Sequence, residues 1–129
     1  MQSDASPIVV MVPDLLMRQQ LVGGLEAGGF SVRGAATRAR LERALEEIRP
    51  AAVLVELDGV GIDGAALVTE LKADDRTAGI PVVGFCAHTR AELIQAARDA
   101  GADRVVSRGE LTNRLLRIAT EVTGEPPAS

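Results

Sequence analysis

Short apolar runs alternate along the chain with longer stretches in which apolar residues recur every three or four positions. Ile8-Val-Val-Met-Val12 is a β-branched run closed by Pro13 and predicts a central strand. Asp14 stands where an N-cap belongs, ahead of Leu15, Leu16, Met17, Leu21, Val22 and Leu25 at helical spacing, and Gly28-Gly29 ends that helix. Phe30-Ser-Val-Arg33 alternates apolar and polar, as a half-buried strand near a sheet edge does. Thr37 caps a second helix with Leu41, Ala44, Leu45 and Ile48 inward. Arg38, Arg40, Glu42, Arg43, Glu46 and Glu47 lie off that stripe and predict a solvated face, with Arg43–Glu47 as an attractive pair and Glu42–Glu46 as a repulsive one.

The middle of the chain carries the most information. Ala51 to Val55 is a run bounded by Pro50 and by glycines, as in a strand buried on both faces, and it ends in Glu56-Leu57-Asp58. A loop with Gly59, Gly61 and Gly64 follows, then a helix over Gly64–Leu71 with Ala66, Leu67 and Leu71 inward. Asp74-Asp75-Arg76 and Gly79 form a loop, and Ile80-Pro81-Val-Val-Gly-Phe85 is a fourth strand with Pro at its start, where a ladder N–H is least missed. Thr89-Arg-Ala-Glu92 has the pattern of a capping box before a helix with Leu93, Ala96, Ala97 and Ala100 inward, ended by Gly101. Asp103-Arg-Val-Val106 is a short fifth strand, and Leu111, Leu115, Ile118 and Val122 predict one last amphipathic helix. Residues 1–6 and 123–129 are expected to be flexible tails around one domain at 7–122.

Five strand–helix units with short connections imply an α/β three-layer sandwich: a parallel sheet covered on both faces, with right-handed crossovers. In the flavodoxin-like order 2-1-3-4-5, ligands sit outside the carboxyl ends of strands 1 and 3. Those ends are Val12-Pro13-Asp14 and Glu56-Leu57-Asp58.

Composition narrows the choices. The 129 residues are 47% hydrophobic and 25% charged, which fits one globular domain. A net charge of −4 argues against a nucleic-acid surface. One Cys excludes an internal disulfide, and no run approaches the ~20 apolar residues of a membrane span, so the protein is expected to be cytoplasmic. With two Phe and no Trp or Tyr, the chain has few stacking platforms for a flavin or single-stranded nucleic acid. The single His, His88, has no second His or Cys near it and is a poor metal ligand.

Several residues then fall into a known register. Pro50 lies six residues before Glu56, and Asp63-Gly64 seven and eight after it. Ile80-Pro81 opens strand 4, Ala100-Gly101-Ala102-Asp103 precedes strand 5, and Arg18 lies on the first helix. In these features residues 7–122 resemble the receiver domain of bacterial response regulators, the CheY-like fold. The resemblance implies a strand-3 aspartate that accepts a phosphoryl group, two acidic residues after strand 1 that hold Mg²⁺, a Ser/Thr ending strand 4 and a Lys ending strand 5. This sequence departs at nearly every one. The phosphoacceptor position is Glu56, the acidic pair falls on Val12 and Pro13 with Asp14 one place late, the Ser/Thr position is Cys86, and the Lys position is Arg108. Placing the acceptor at Asp58 instead would break the spacing to both Pro50 and Asp63-Gly64.

The departures bear on chemistry. Mg²⁺ requires near-octahedral oxygen ligands, which Val12 and Pro13 do not supply. Glu is one methylene longer than Asp, and a displacement of about 1 Å can cost ~10²-fold in a transfer reaction. A thiol is a weak donor to a phosphoryl oxygen. The expectation is an atypical receiver that is not an enzyme, with weak or absent Mg²⁺ binding and no other cofactor, acting as a protein-interaction module in two-component signalling. Its partner is expected to be a signalling protein, or a second copy through the helix 4–strand 5–helix 5 face, which carries Arg104, Val105, Arg114 and Arg117. Glu56 either pairs with Arg108 to imitate part of the phosphorylated arrangement or merely balances its charge. Two rivals stand beside this reading: a phosphorylatable regulator using Asp58 or Asp14, and a small flavodoxin-like ligand-binding protein.

Overall fold

A computed structural model describes residues 6–124. It shows a five-stranded parallel sheet in the order β2-β1-β3-β4-β5, the order expected from the alternation of elements. In chain order the elements are β1 Ile8–Met11, α1 Leu15–Ala27, β2 Val32–Ala35, α2 Arg38–Glu47, β3 Ala52–Glu56, α3 Gly64–Ala73, β4 Val82–Cys86, α4 Ala91–Asp99, β5 Arg104–Ser107, α5 Arg108–Asn113 and α6 Leu115–Thr123.

The central strands β1, β3 and β4 are buried along their whole length, which is why they read as continuous apolar runs. Successive side chains serve opposite faces. Val10, Leu54, Phe85 and Val106 join Leu21 and Leu25 of α1, Leu111 of α5 and Ile118 of α6. Val9, Val53, Val55 and Val82 join Leu41 of α2, Leu67 and Val68 of α3 and Ala97 of α4.

The structure revises several local expectations. β2 starts two residues late, at Val32, while Phe30 packs half-buried on the α1–α6 side. β4 starts at Val82 because Pro81 has no N–H and the Ile80 amide turns back to the Thr77 carbonyl at 2.9 Å. Asp103 lies just before β5, where its carboxylate accepts the Val82 N–H at 2.7 Å and pairs with Lys72 at 2.6 Å. The capping box does not form: Arg90 occupies the N-cap of α4 with no side-chain capping bond, and Thr89 lies in a turn. Within α3, Val68 is buried and Ala66 only half-buried. Glu47 ion-pairs with Arg33 of β2 instead of Arg43. The last helix is two helices, broken at Arg114 (φ −128°, ψ 29°). Residues 1–5 and 125–129 of the expected tails lie outside the described residues, and Thr123 is the final residue of α6.

The packing also fixes the turn after β3. Leu57 is 2% exposed and sits between two glycines. A Cβ on Gly84 of β4 would lie 2.9 Å from the Leu57 side chain, and one on Gly64 of α3 would lie 2.5 Å from the Leu57 Cα. Backbone at the second contact cannot give way. Gly64→Ala is therefore expected to destabilise the domain by about 2 kcal/mol or more, as overpacking against a fixed wall does. Urea denaturation checks this, and a variant as stable as the parent would contradict it.

Candidate functional site

β3 delivers Glu56 and the following turn delivers Asp58, with Leu57 pinned between them. Glu56 is opposite Phe85 in the β3–β4 register, and the Leu57 amide continues the ladder to the Phe85 carbonyl at 2.8 Å. The ladder thus fixes the backbone that carries both carboxylates. From the far side of β4, Ser107 ends β5 and caps α5 by accepting the Glu110 N–H at 3.0 Å. That cap places Arg108, the first residue of α5, over the ends of β3 and β4.

The guanidinium of Arg108 bridges the two acids. Its Nη2 donates to Glu56 Oε2 at 3.3 Å and to Asp58 Oδ1 at 3.0 Å. The second oxygen of Asp58 accepts the Ala87 amide at 3.3 Å. The side chains of Glu56 and Asp58 are 7% and 11% exposed and that of Arg108 39%, so the acids are sunk in the crevice under a partly solvated cation.

The β1 side of the crevice is apolar. Val12 is fully buried, and Pro13 lies close to the turn: a Cβ on Gly59 would meet the Pro13 ring at 2.9 Å and Glu56 Oε1 at 3.1 Å. Arg18 ties this loop back, donating from Nη1 to the Val12 carbonyl at 2.7 Å and to the Pro13 carbonyl at 3.2 Å. Asp14 is exposed and caps α1, its Oδ1 accepting the Met17 N–H at 2.8 Å. Cys86 is fully buried at the end of β4, and burial raises its thiol pKa, with the nearby Asp58 adding to the effect.

Glu56 shows which force dominates. Burial raises its pKa above the ordinary value; the hydrogen bond and charge of Arg108 oppose this, and the charges of Asp58 and Asp14 add to it. Desolvation together with the two neighbouring acids therefore outweighs the ion pair, with desolvation the largest contribution.

Of the residues singled out in the sequence, Glu56, Asp58 and Arg108 meet directly. Val12, Pro13 and Cys86 line the same crevice, and Asp14 stands at its rim. Arg104, Val105, Arg114 and Arg117 are distributed differently. Arg104 and Arg117 both bind Glu121 of α6, at 2.7 and 3.3 Å. Val105 leaves β5 on the other face and packs half-buried with the α3–α4 core, while Arg114 stands at the α5–α6 break. His88 is exposed in the turn after β4. Two features escaped the sequence reading. Asp58 shares Arg108 with Glu56, for which two acids at i and i+2 around a strand end were the available signal. Arg18 closes the β1–α1 loop, a contact with no signature in the sequence.

The chain matches the response regulator receiver domain over residues 8–120 and belongs to that family. It is 33% identical over 99 residues to the transcriptional regulatory protein PrrA of Mycobacterium tuberculosis, covering 76% of this chain and 42% of PrrA. The chain thus spans less than half the length of that relative. The chemotaxis response regulator CheY4 of Vibrio cholerae superposes with a TM-score of 0.80 at 16% identity, over 92% of this chain and 98% of that one. The receiver domain of a Pseudomonas aeruginosa sensor histidine kinase, solved with a magnesium ion coordinated in its active-site cleft, gives 0.81 at 18% identity, over 94% and 99%. At these identities the structural likenesses establish the fold.

Two outcomes follow from the balance at Glu56. An acid whose pKa is raised in the folded state binds its proton more tightly there. Its contribution to stability therefore falls as pH rises from the ordinary value of 4.5 through the folded value. Glu56→Gln removes that loss, so the stability of the variant relative to the parent should grow over this interval, measured by urea denaturation at a series of pH values. A difference independent of pH would contradict it. Arg108→Ala leaves two sunken carboxylates without their cation and should cost about 1–3 kcal/mol at neutral pH, with part of the loss recovered when Glu56→Gln is added. An Arg108→Ala variant of parental stability would show that the bridge carries no energy.

Proposed function

We propose that this receiver domain works without phosphoryl transfer, as an interaction module of two-component signalling whose crevice is held in one arrangement by Arg108. The observation that carries this reading is the single guanidinium lying 3.3 Å from Glu56 and 3.0 Å from Asp58. An oxygen of each carboxylate is engaged by that cation, and the second Asp58 oxygen by the Ala87 amide.

A magnesium ion does not fit the donors that remain. Val12 and Pro13 present a methyl-bearing side chain and a ring, Asp14 uses an oxygen as a helix cap, and the cation position between Glu56 and Asp58 is taken by Arg108. The in-line attack of a carboxylate on a phosphoryl group needs a closely positioned nucleophile and a divalent ion to neutralise the transferring charge. Cys86 adds no strong donor at the end of β4. The arrangement is suited to fixing a surface: the ends of β3, β4 and α5 meet at one bridge.

The proposed partner is another signalling protein or a second copy of the chain. The face assigned to it is formed by α4, β5 and the α5–α6 pair, with Arg104, Val105, Arg114 and Arg117. No helix among the described residues is long and apolar enough to cross a membrane, and a cytoplasmic setting with no nucleic-acid contact fits the acidic net charge of −4.

Incubation of the purified domain with acetyl phosphate and Mg²⁺, followed by intact-mass measurement under conditions that preserve acyl phosphates, should show no adduct. A stoichiometric gain of one phosphoryl group would overturn the proposal. Its loss in Asp58→Asn, but not in Glu56→Gln, would assign the chemistry to the rival acceptor.

A further inference from the structure

Outside the crevice, a concavity lies between α2 and α3. α2 packs on β1 and β2, and α3 packs on α4, so the two helices do not close on each other. A cavity of about 650 Å³ remains between them, within the range of small-molecule sites. Its floor is apolar, formed by Leu41, Leu45, Ile48, Leu67, Leu71 and Ile80. Leu45 and Ile48 are only half-buried, so this floor is open to a ligand.

Contacts across the groove bound it at both ends. At the start of α2, Arg38 is paired with Glu70 of α3. Beyond the end of α2, Arg49 Nη1 donates to the Arg76 carbonyl at 2.9 Å. The two straps lie near opposite ends of α2, a ten-residue helix and so about 15 Å long. A partner helix laid through the groove would have to break both. A compact molecule fits between them.

The rim sets the charge of that molecule. Five acids line the cavity, Glu42, Glu46, Glu47, Glu70 and Asp74, against the three arginines 38, 49 and 76. Glu42 and Glu70 are paired with Arg38, Glu47 with Arg33, and Asp74 with Arg76. Glu46 makes no ion pair among the described residues, and neither does Arg49, whose guanidinium is held by the Arg76 carbonyl. The groove therefore combines an apolar floor, a net negative rim and one acid able to accept a new cation.

We propose that the α2–α3 groove is a binding site for a small amphiphile with an apolar body and a single cationic head, the body lying on Leu45 and Ile48 and the head meeting Glu46. The site is separate from the Arg108 bridge and does not depend on whether that crevice transfers phosphate.

Three probes of matched chain length test this: octylammonium, 1-octanol and octanoate, each titrated below micelle formation into the ¹⁵N-labelled domain. Octylammonium should give saturable shifts confined to α2, α3 and the loop over residues 74–80, with octanol weaker and octanoate weakest. Glu46→Gln should weaken octylammonium by about threefold, the share of a solvent-screened ion pair, and leave octanol unchanged. Leu45→Lys, which places a cation on the half-buried floor, should abolish octylammonium binding, with a preserved amide spectrum showing that the variant is folded. The proposal fails if no probe saturates, if the shifts lie outside the groove, if octanoate binds as tightly as octylammonium, or if Glu46→Gln leaves octylammonium unaffected.

Discussion

One guanidinium held between two sunken carboxylates is the constraint on which the functional end of this domain depends. The parallel ladder brings Glu56 to the end of β3, and the Leu57 wedge commits Asp58 to the same side. Two acids this close in a poorly solvated crevice require a cation. Arg108 supplies it at 3.3 and 3.0 Å from the first position of α5. The bridge is thereby also a tie between β3 and α5 across the intervening β4, so its loss would loosen tertiary packing as well as charge balance.

The energetic sign of this tie is mixed. The raised pKa of Glu56 means that solvent removal and the neighbouring acids together outweigh the attraction of Arg108 at that residue. Such a pair is better understood as specifying one arrangement than as adding stability. Any state in which Arg108 swings away leaves both acids without their cation, so alternatives are penalised more than the observed state is favoured. A divalent ion would neutralise the same acids while leaving coordination positions open to a phosphoryl group. In the proposed reading the guanidinium offsets one of the two charges and fills the position between them.

Much of the fold was legible because its signals are local and repeated. Continuous apolar runs marked β1, β3 and β4, and helical spacing with Asp14 and Thr37 as caps marked α1 and α2. The errors came where tertiary contacts overrode local pattern. Thr89 and Glu92 form a good capping box on paper, but the turn after β4 places Arg90 at the cap. The apolar stripe from Leu111 to Val122 gave no sign of the break at Arg114. In the crevice, counting residues from Pro50 and Asp63-Gly64 singled out Glu56, and the end of strand 5 singled out Arg108, because loop lengths in this fold leave little slack. The sharing of Arg108 by Asp58 depends on a side-chain direction, and the insertion of Pro13 beside Glu56 on a close approach of two loops. Neither has a one-dimensional signature.

The central claim is that Arg108 occupies, in effect, the place of the cation that a phosphoryl-accepting receiver would recruit. A magnesium titration of the ¹⁵N-labelled domain through the millimolar range, followed at the amides of Asp14, Glu56, Leu57, Asp58 and Ala87, tests it most directly. The account predicts no saturable shift at these positions. A saturable response centred on them and abolished in Asp58→Asn would show that the crevice takes up the ion and would contradict it.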